Sequence, residues 1–176
     1  AVFRAHIVQS TDMEEEESDD DQHRIFIDME LNQNPVKKEY QPHVDFVVQA
    51  PPPTLEEITT FYRDVYRRAK MEYDCLIMSL IYVERLIKVT QGALRPRTSN
   101  WRSILCSCMV LSSKVWDDLS MWNADFSQTC PAGVKFSLQR INELELAVLA
   151  VLSYTVKVPA SEYAKYYFLL RSMLIK

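Results

Sequence analysis

The amino-acid sequence predicts an all-α protein, and three observations lead to this fold class. Apolar residues recur at helical spacing through most of the chain after residue 53. Only two glycines, Gly92 and Gly133, occur among 176 residues, whereas a β-sandwich or a nucleotide-binding α/β fold normally needs many more turn glycines. A hydrophobic fraction of 48% and a charged fraction of 25% are typical of a globular chain, and this length predicts one domain with a sizeable core.

Residues 1–53 are predicted to form an acidic, extended or flexible N-terminal arm, and residues 54–176 the helical domain. The run EEEESDDD at 14–21 repels itself and cannot bury surface, so we expect it to be solvated. Within this run Ser18 precedes three aspartates and is a candidate phosphorylation site for an acid-directed kinase. A solubilising tail without a dedicated role explains the same run equally well.

Two short segments of the arm, 24–28 and 44–48, alternate apolar and polar residues. This alternation predicts either strands or extended segments that dock on a partner or on the helical body. The prolines at 51–53 then close the arm, because consecutive prolines impose an extended stub and favour a helix start after them.

Two long helices are predicted directly after the prolines. Thr54 is a candidate helix cap, with Glu56 and Glu57 in the first turn, where carboxylates favour the positive pole of a helix. The second helix is predicted from about Tyr73 to Val89. It is apolar nearly all round in its first half, so we expect a central core helix with one exposed end.

The third predicted helix, 101–113, has almost no polar face and is expected to be buried on most sides. Lys114 follows at its end, where an ammonium suits the negative pole of a helix and a long stem can reach outward. Asp117 and Asp118 come next. A buried helix that ends in such a charged cluster predicts a recognition edge.

One short helix and two long helices complete the prediction, which gives five long helices in all. Residues 115–131 are predicted as a loop that contains the short helix. Ser137 is a candidate cap for the fourth long helix. Its apolar stripe consists of Ile141, Leu144, Val148 and Val151. Residues 154–158 are predicted to be extended, and Pro159 precedes a final helix that is rich in tyrosine.

Candidate catalytic chemistry is sparse. The three histidines, His6, His23 and His43, all lie in the arm, so the helical domain lacks the commonest general base and metal ligand. No glycine-rich phosphate loop, nucleophile elbow or zinc motif occurs. Asp117 and Asp118 are adjacent, but adjacent acids on a loop are more often solvated or capping groups than an acid–base pair. We therefore expect no enzyme, no cofactor and no metal site.

Charge and hydropathy exclude several classes of partner. The formal net charge is −4 and no basic face is evident, so no nucleic-acid partner is expected. No apolar run is long enough to span a bilayer, and no secretory signal stands at the start, where Ala1 in place of Met suggests an excised or processed fragment. No C-x-x-C pair occurs, so we expect buried thiols in a reducing compartment at Cys75, Cys106, Cys108 and Cys130.

Glu145 lies on the fourth long helix, one residue from its apolar stripe. Either Glu145 holds Lys114 so that the ammonium faces the backbone carbonyls of a partner, or the two residues form an ordinary rim salt bridge. Spacing alone favours the salt bridge, which contributes less than about 1 kcal/mol. Trp116 and Trp122 are likewise either lids over the ends of core helices or exposed anchors of an interface. The residue type alone favours lids.

Five segments, taken in order, resemble one protein family. They are YVERL at 82–86, SKVWDD at 113–118, WNADF at 122–126, NELE at 142–145 and VPASEYAKYYF at 158–168. Over residues 54–172 the chain resembles a cyclin box, most closely that of cyclin Y and its relatives, which are similar to the phosphate-signalling cyclins of yeast. The resemblance implies a single five-helix cyclin box with flanking helices.

The resemblance also implies a partner and the residues that contact it. Cyclins bind and activate cyclin-dependent protein kinases by docking on the mobile regulatory helix of the kinase. In that family a lysine at the end of the third box helix and a glutamate on the fifth contact the kinase, and by position these are Lys114 and Glu145. Trp116 and Asp117 lie beside the lysine, and they complete the expected set of kinase-binding residues.

The function implied by the resemblance is that of a non-catalytic regulatory subunit of a cyclin-dependent kinase, intracellular, cytoplasmic or nuclear, with a role in the cell cycle. The alternative is a cyclin-fold adaptor or scaffold of a transcription or structural complex that does not activate a kinase. Transcription adaptors of this fold usually carry two boxes and a basic face, and this sequence shows neither. No Met-Gly start is present for N-terminal lipidation, and the sequence leaves peripheral membrane association open.

Overall fold

The structure, a computed structural model, describes residues 21–28, 51–129 and 136–174. These residues form six α-helices, five long and one short, together with a 3-10 helix at Asp21–Phe26, and they contain no strand. The helices are α1 (Leu55–Arg68), α2 (Tyr73–Val89), α3 (Trp101–Trp116), α4 (Asn123–Thr129), α5 (Leu138–Val151) and α6 (Ala160–Leu174). The all-α prediction is confirmed.

Helix α1 begins where the sequence predicts, because Thr54 and Glu57 cap it reciprocally. The Thr54 hydroxyl accepts a hydrogen bond from the Glu57 N–H (3.1 Å), and the Glu57 carboxylate accepts one from the Thr54 N–H (2.7 Å). This capping box satisfies two backbone donors that a helix start otherwise leaves without a partner. The helix then buries Ile58, Phe61 and Val65 on one face.

Helices α2 and α3 pack against each other at the centre of the protein, and α3 also contacts α1 and α5. Residues 103–113 of α3 are all buried, as predicted. Several of these buried side chains are serines, and two of their hydroxyls bond back to the helix: Ser107 donates to the Ser103 carbonyl (2.8 Å) and Ser112 to the Met109 carbonyl (2.8 Å). Small polar side chains can therefore sit inside the core at little cost, because their hydrogen bonds are made locally.

The end of α3 differs from the prediction. The helix continues past Ser113 to Trp116, so Val115 and Trp116 are helical rather than part of a loop. The Asp117 N–H donates to the Ser113 carbonyl (2.8 Å) and extends the helical hydrogen bonding to that point. The buried residues of α3 end at Ser113, but the helix itself continues to Trp116. The apolar pattern of the sequence shows where burial ends and not where the helix ends.

Of the alternatives predicted for the segment 24–28, the structure shows docking on the helical body, but residues Asp21–Phe26 form a 3-10 helix and not a strand or an extended segment. Phe26 is fully buried in the core. The Ile27 carbonyl accepts a hydrogen bond from the Arg140 guanidinium (2.8 Å). The Asp28 carboxylate accepts hydrogen bonds from the backbone N–H groups of Arg102 (3.1 Å) and Ser103 (2.7 Å), which lie in the first turn of α3. A distant carboxylate thus supplies the cap that this helix start needs.

The remainder of the arm, including Ser18, the acidic run and the segment 44–48, lies outside the described residues. The boundary between an arm at 1–53 and a helical domain at 54–176 therefore stays a prediction. The described part adds one fact that bears on it: the buried side chain of Phe26 belongs to the same core as the helices.

Helix α5 begins with the predicted cap, since the Ser137 hydroxyl accepts a hydrogen bond from the Arg140 N–H (3.1 Å). Three of the four residues predicted for the apolar stripe of α5 are buried: Ile141, Leu144 and Val148. The fourth, at the C-terminal end of the stripe, is not. Val151 is half-buried and Leu152, just beyond the helix, is buried in its place.

Arg85 of α2 fixes the connection between α5 and α6. Its guanidinium donates to the carbonyls of Thr155 and Lys157 (3.1 Å each) and forms a salt bridge with Glu162 (2.6 Å) in the first turn of α6. A guanidinium suits this position because its five donors serve several acceptors at once.

Three cysteines, Cys75, Cys106 and Cys108, are buried free thiols, as predicted, and Cys130 lies outside the described residues. Burial raises the pKa of the Cys108 thiol well above its ordinary value, so this thiol stays protonated and unreactive. Among the described residues, no helix combines the length and apolar character needed to cross a membrane.

Candidate protein-docking edge

Most of the residues that the sequence analysis singles out lie on neighbouring elements: the end of α3, the loop that follows, the start of α4 and the middle of α5. We call this region the docking edge and define it by six residues: Lys114, Trp116, Leu119, Trp122, Asn123 and Glu145. The elements that carry it are firmly held, since α3 and α4 both pack on α5.

The structure brings Lys114 and Glu145 together across 31 positions of sequence. The Lys114 ammonium lies 2.7 Å from both carboxylate oxygens of Glu145. The side chains are 30% and 16% exposed, respectively, so the pair lies at the rim of the core. Lys114 occupies the last turn of α3, where the negative pole of the helix also favours its charge. The spacing of the two residues in the sequence does not predict whether they serve a partner. The resemblance to cyclins predicts that they form a pair.

Asn123 is the third member of this cluster, and the sequence analysis does not identify it. Its side-chain nitrogen donates to Oε2 of Glu145 (2.6 Å) and to Oδ1 of Asn142 (2.7 Å). Its own oxygen is buried and accepts no hydrogen bond from the described residues. The only signal in the sequence was its place in the segment WNADF, which does not reveal a contact with Glu145.

Asp117 faces the interior. Its carboxylate accepts hydrogen bonds from the Ser113 hydroxyl (2.5 Å), the Glu72 backbone N–H (3.0 Å) and the Cys75 thiol (3.1 Å). Glu72 precedes α2 and makes no side-chain cap of its own, so Asp117 supplies the cap and ties the start of α2 to the end of α3. Burial, followed by the bond to Asp117, raises the pKa of the Cys75 thiol.

The neighbouring Asp118 is exposed, so the two adjacent aspartates occupy different environments. This arrangement agrees with the prediction that they are capping or solvated groups. The predicted contact between Asp117 and a kinase stays a prediction, because the structure shows only that its carboxylate is engaged inside the protein.

The two tryptophans of the docking edge differ in their surroundings. The Trp116 ring stacks on Tyr163 of α6, with ring centroids 6.1 Å apart and an interplanar angle of 2°, and its residue is 43% exposed. Trp122 is 81% exposed, and Leu119 is 95% exposed. The prediction of a core lid is therefore wrong for Trp122, because its ring projects from the start of α4 and covers no core helix.

The docking edge joins an ion pair and a side-chain amide to large exposed apolar groups. Tryptophan is among the residues enriched at protein–protein interfaces, which makes this edge a candidate docking surface. Within residues 21–28, 51–129 and 136–174, no group of three histidine, cysteine or acidic side chains is placed to hold a metal ion.

The described residues form an all-helical domain. A family model described as "Cyclin, N-terminal domain" matches residues 24–157, which is most of the chain and includes the docked segment at 24–28. The chain therefore belongs to the cyclin family, as the resemblance of its segments predicts. Cyclins are regulatory, non-catalytic proteins. The closer likeness to cyclin Y and the phosphate-signalling cyclins stays a prediction.

Proposed function

We propose that this chain is the regulatory subunit of a cyclin-dependent protein kinase, which it binds and activates by docking on the regulatory helix of the kinase. The observation that carries the proposal is the ion pair of Lys114 and Glu145, which lies at the docking edge of a chain that belongs to the cyclin family. The chain itself acts without catalytic residues, inside the cell, and most closely in the manner of a cyclin Y.

The ion pair is suited to present one charge in a fixed direction. Glu145 is the more buried partner and holds the Lys114 ammonium at two oxygens. An ammonium has three donors, so at least one remains for the backbone carbonyls of a partner. A partner helix that ends at this edge would offer such carbonyls, together with the negative pole of its dipole.

The exposed side chains of Leu119 and Trp122 add an apolar component to the same surface. Tryptophan is among the residues that contribute most to binding when a partner covers them. Because these side chains are exposed, they contribute little to the stability of the fold. We therefore assign them to the interface with the kinase.

Activation follows from differential affinity. A rigid helical body that binds the active arrangement of the kinase more tightly than the inactive one shifts the population toward the active one. The shift equals the difference between the two binding free energies, and a preformed ion pair between two packed helices provides a surface that does not need to reorganise on binding.

Lys114→Ala and Glu145→Ala test the proposal. After pull-down from an extract and mass spectrometry identify the kinase, isothermal titration against the purified kinase is expected to show a loss of about 2 kcal/mol or more, about 30-fold in affinity, if the pair is covered at the interface. Kinase activity in the presence of each variant should fall in parallel. Thermal melting should change little, because a rim pair contributes less than about 1 kcal/mol to stability.

Lys88→Ala is the matched control. Lys88 pairs with Glu84 on the surface of α2, near the C-terminal end of that helix. Asp117, beside the docking edge, contacts Glu72 at the opposite end of α2, so Lys88 lies far from the docking edge. The Lys88→Ala variant should leave affinity for the kinase unchanged. Unaltered affinity in both edge variants would refute the proposal, and lost affinity together with a collapsed melting transition would show that the pair is structural.

A further inference from the structure

We propose that Asn123 is a positioning residue of the docking edge, whose side-chain amide orients the Glu145 carboxylate and thereby the Lys114 ammonium that faces the partner. This inference rests on the proposed function, since the partner concerned is the kinase. It adds a residue that neither the sequence pattern nor the cyclin family membership assigns to the surface.

The hydrogen bonds of Asn123 determine the orientation of its amide. The side-chain nitrogen lies 2.6 Å from Oε2 of Glu145 and 2.7 Å from Oδ1 of Asn142. An amide nitrogen has two hydrogens and no acceptor, so both donors are used. The reversed amide would place an oxygen against two acceptor oxygens, which excludes that orientation.

The cluster connects three helices at one point. Lys114 comes from the last turn of α3, Asn123 from the start of α4, and Asn142 and Glu145 from α5. Asn142 and Glu145 are three residues apart and so share one face of α5. Helix α4 is anchored beneath them by Phe126, which is almost fully buried, so the donor of the amide sits on a fixed element.

The amide has a specific effect on the ion pair. Lys114 contacts both oxygens of Glu145 alike, and an isolated pair of this kind can rotate and shift together on its two flexible stems. The bond from Asn123 to Oε2 alone fixes the plane of the carboxylate. The ammonium, held by that carboxylate, then points in one direction before any partner arrives, which lowers the ordering cost of binding.

The carbonyl oxygen of Asn123 is buried and accepts no hydrogen bond within the described parts of the chain, so the two bonds that the nitrogen donates hold the side chain in place. A buried polar atom without a partner is destabilising, and in native proteins such atoms are few. Asparagine is neutral and has two donors on one nitrogen, so it donates hydrogen bonds to Glu145 and Asn142 together. It does so although its buried oxygen lacks a partner among the described residues.

Asn123→Asp tests the role with a side chain of the same shape. At pH 7.5 its ionised carboxylate has no donor and repels Glu145 at hydrogen-bond distance. The repulsion from Glu145 raises the pKa of the introduced carboxyl above its ordinary value of about 4, so the group takes up a proton as pH falls and then donates one hydrogen bond to Glu145, as the amide does. The affinity of this variant for the kinase should be about ten-fold lower than that of the wild type at pH 7.5 and should approach the wild-type value at pH 5.5. Isothermal titration of both proteins at each pH measures the ratio.

Two further variants separate positioning from structure. Asn123→Ala should lose affinity equally at both pH values, because alanine cannot regain a donor. Ser127→Ala, also on α4, removes a hydroxyl whose one hydrogen bond among the described residues goes to the Ala124 carbonyl of its own helix, and this variant should match the wild type throughout. Recovery at low pH in Asn123→Asp alone would support the inference, since a general effect of pH would appear in every variant.

The outcomes distinguish this inference from the proposed function. If Lys114→Ala weakens binding but Asn123→Asp binds like the wild type at both pH values, the inference alone is overturned. If Lys114→Ala leaves affinity unchanged, the proposed function fails and the inference with it. If Asn123→Asp and Asn123→Ala both abolish cooperative melting, Asn123 is a structural residue and the inference is overturned.

Discussion

Phe26→Ala is expected to destabilise the helical body as strongly as a substitution in the centre of the core, although the sequence assigns Phe26 to the arm. The Phe26 side chain is fully buried in the cluster that α1 to α5 form. Truncation of such a phenylalanine to alanine removes apolar contacts and leaves a cavity, and it lowers the free energy of unfolding by about 3–5 kcal/mol.

The surroundings of Phe26 favour the upper part of that range. The chain beyond it is held by the bond from Arg140 to the Ile27 carbonyl and by the two backbone bonds to the Asp28 carboxylate. These contacts keep the segment in place after truncation, so the cavity cannot collapse. A domain of this kind has a total stability of about 5–15 kcal/mol, so the loss would be a large share of it.

Urea unfolding followed by circular dichroism measures this effect directly. Ile27→Ala is the matched control, because Ile27 is the next residue and is 45% exposed, and we expect it to lower the free energy of unfolding by less than about 1 kcal/mol. A chain that starts at residue 51 lacks Phe26 and Asp28 together, so it should lose at least as much stability as Phe26→Ala while it keeps its helical circular dichroism spectrum.

Equal effects of Phe26→Ala and Ile27→Ala would refute this reasoning. Such a result would mean that the segment 21–28 contributes little to the core in solution, and it would support the boundary between residues 53 and 54 that the sequence predicts. A large difference would move the N-terminal limit of the domain to include this segment.

Two further predictions concern charged groups that hold the fold together. Burial raises the pKa of the Asp28 carboxyl from its ordinary value of 3.8 to about 6, so the folded chain binds that proton more tightly than the unfolded chain and loses stability as pH rises from about 4 to above 6. Asp28→Asn should therefore match the wild type near pH 4 and exceed it by about 3 kcal/mol at pH 7 in urea unfolding, and a difference that does not vary with pH would contradict this. Arg85→Met should lower the free energy of unfolding by about 2 kcal/mol, because it leaves Glu162 and two backbone carbonyls without their donor; a loss no greater than that of Lys88→Ala, measured by thermal melting, would show that this connection is not held by Arg85.

Features that depend on neighbours in sequence were predictable. The caps Thr54 and Ser137 and the start of α2 at Tyr73 appear as expected, because a helix start is determined by side chains within three or four residues of it. The buried run of α3 was also predictable, since a helix without a polar face has no other stable place than the core.

The positions of the docking-edge residues follow from a different source. Lys114 and Glu145 were placed together by resemblance to a family, because no local spacing relates residues on two helices. For Trp122 the sequence left a core lid and an exposed anchor both open, with the lid favoured, and the structure shows an exposed side chain. Aromatic rings are common both in protein cores and at protein interfaces. The residue type alone therefore cannot decide whether Trp122 is buried or exposed.

The sequence by itself determined the six α-helices, where most of them begin and which faces most of them bury, since these properties arise from interactions over one or two helical turns. The 3-10 helix at Asp21–Phe26 and the last turn of α3 were not determined in this way. The tertiary structure alone decided that Asp28 caps α3, that Asp117 turns inward to α2, and that Asn123 orients Glu145. Each of these contacts joins residues 22 to 75 positions apart. Such a contact forms only when the packing of several helices brings both side chains to one place, and the local sequence around either residue is compatible with many other partners.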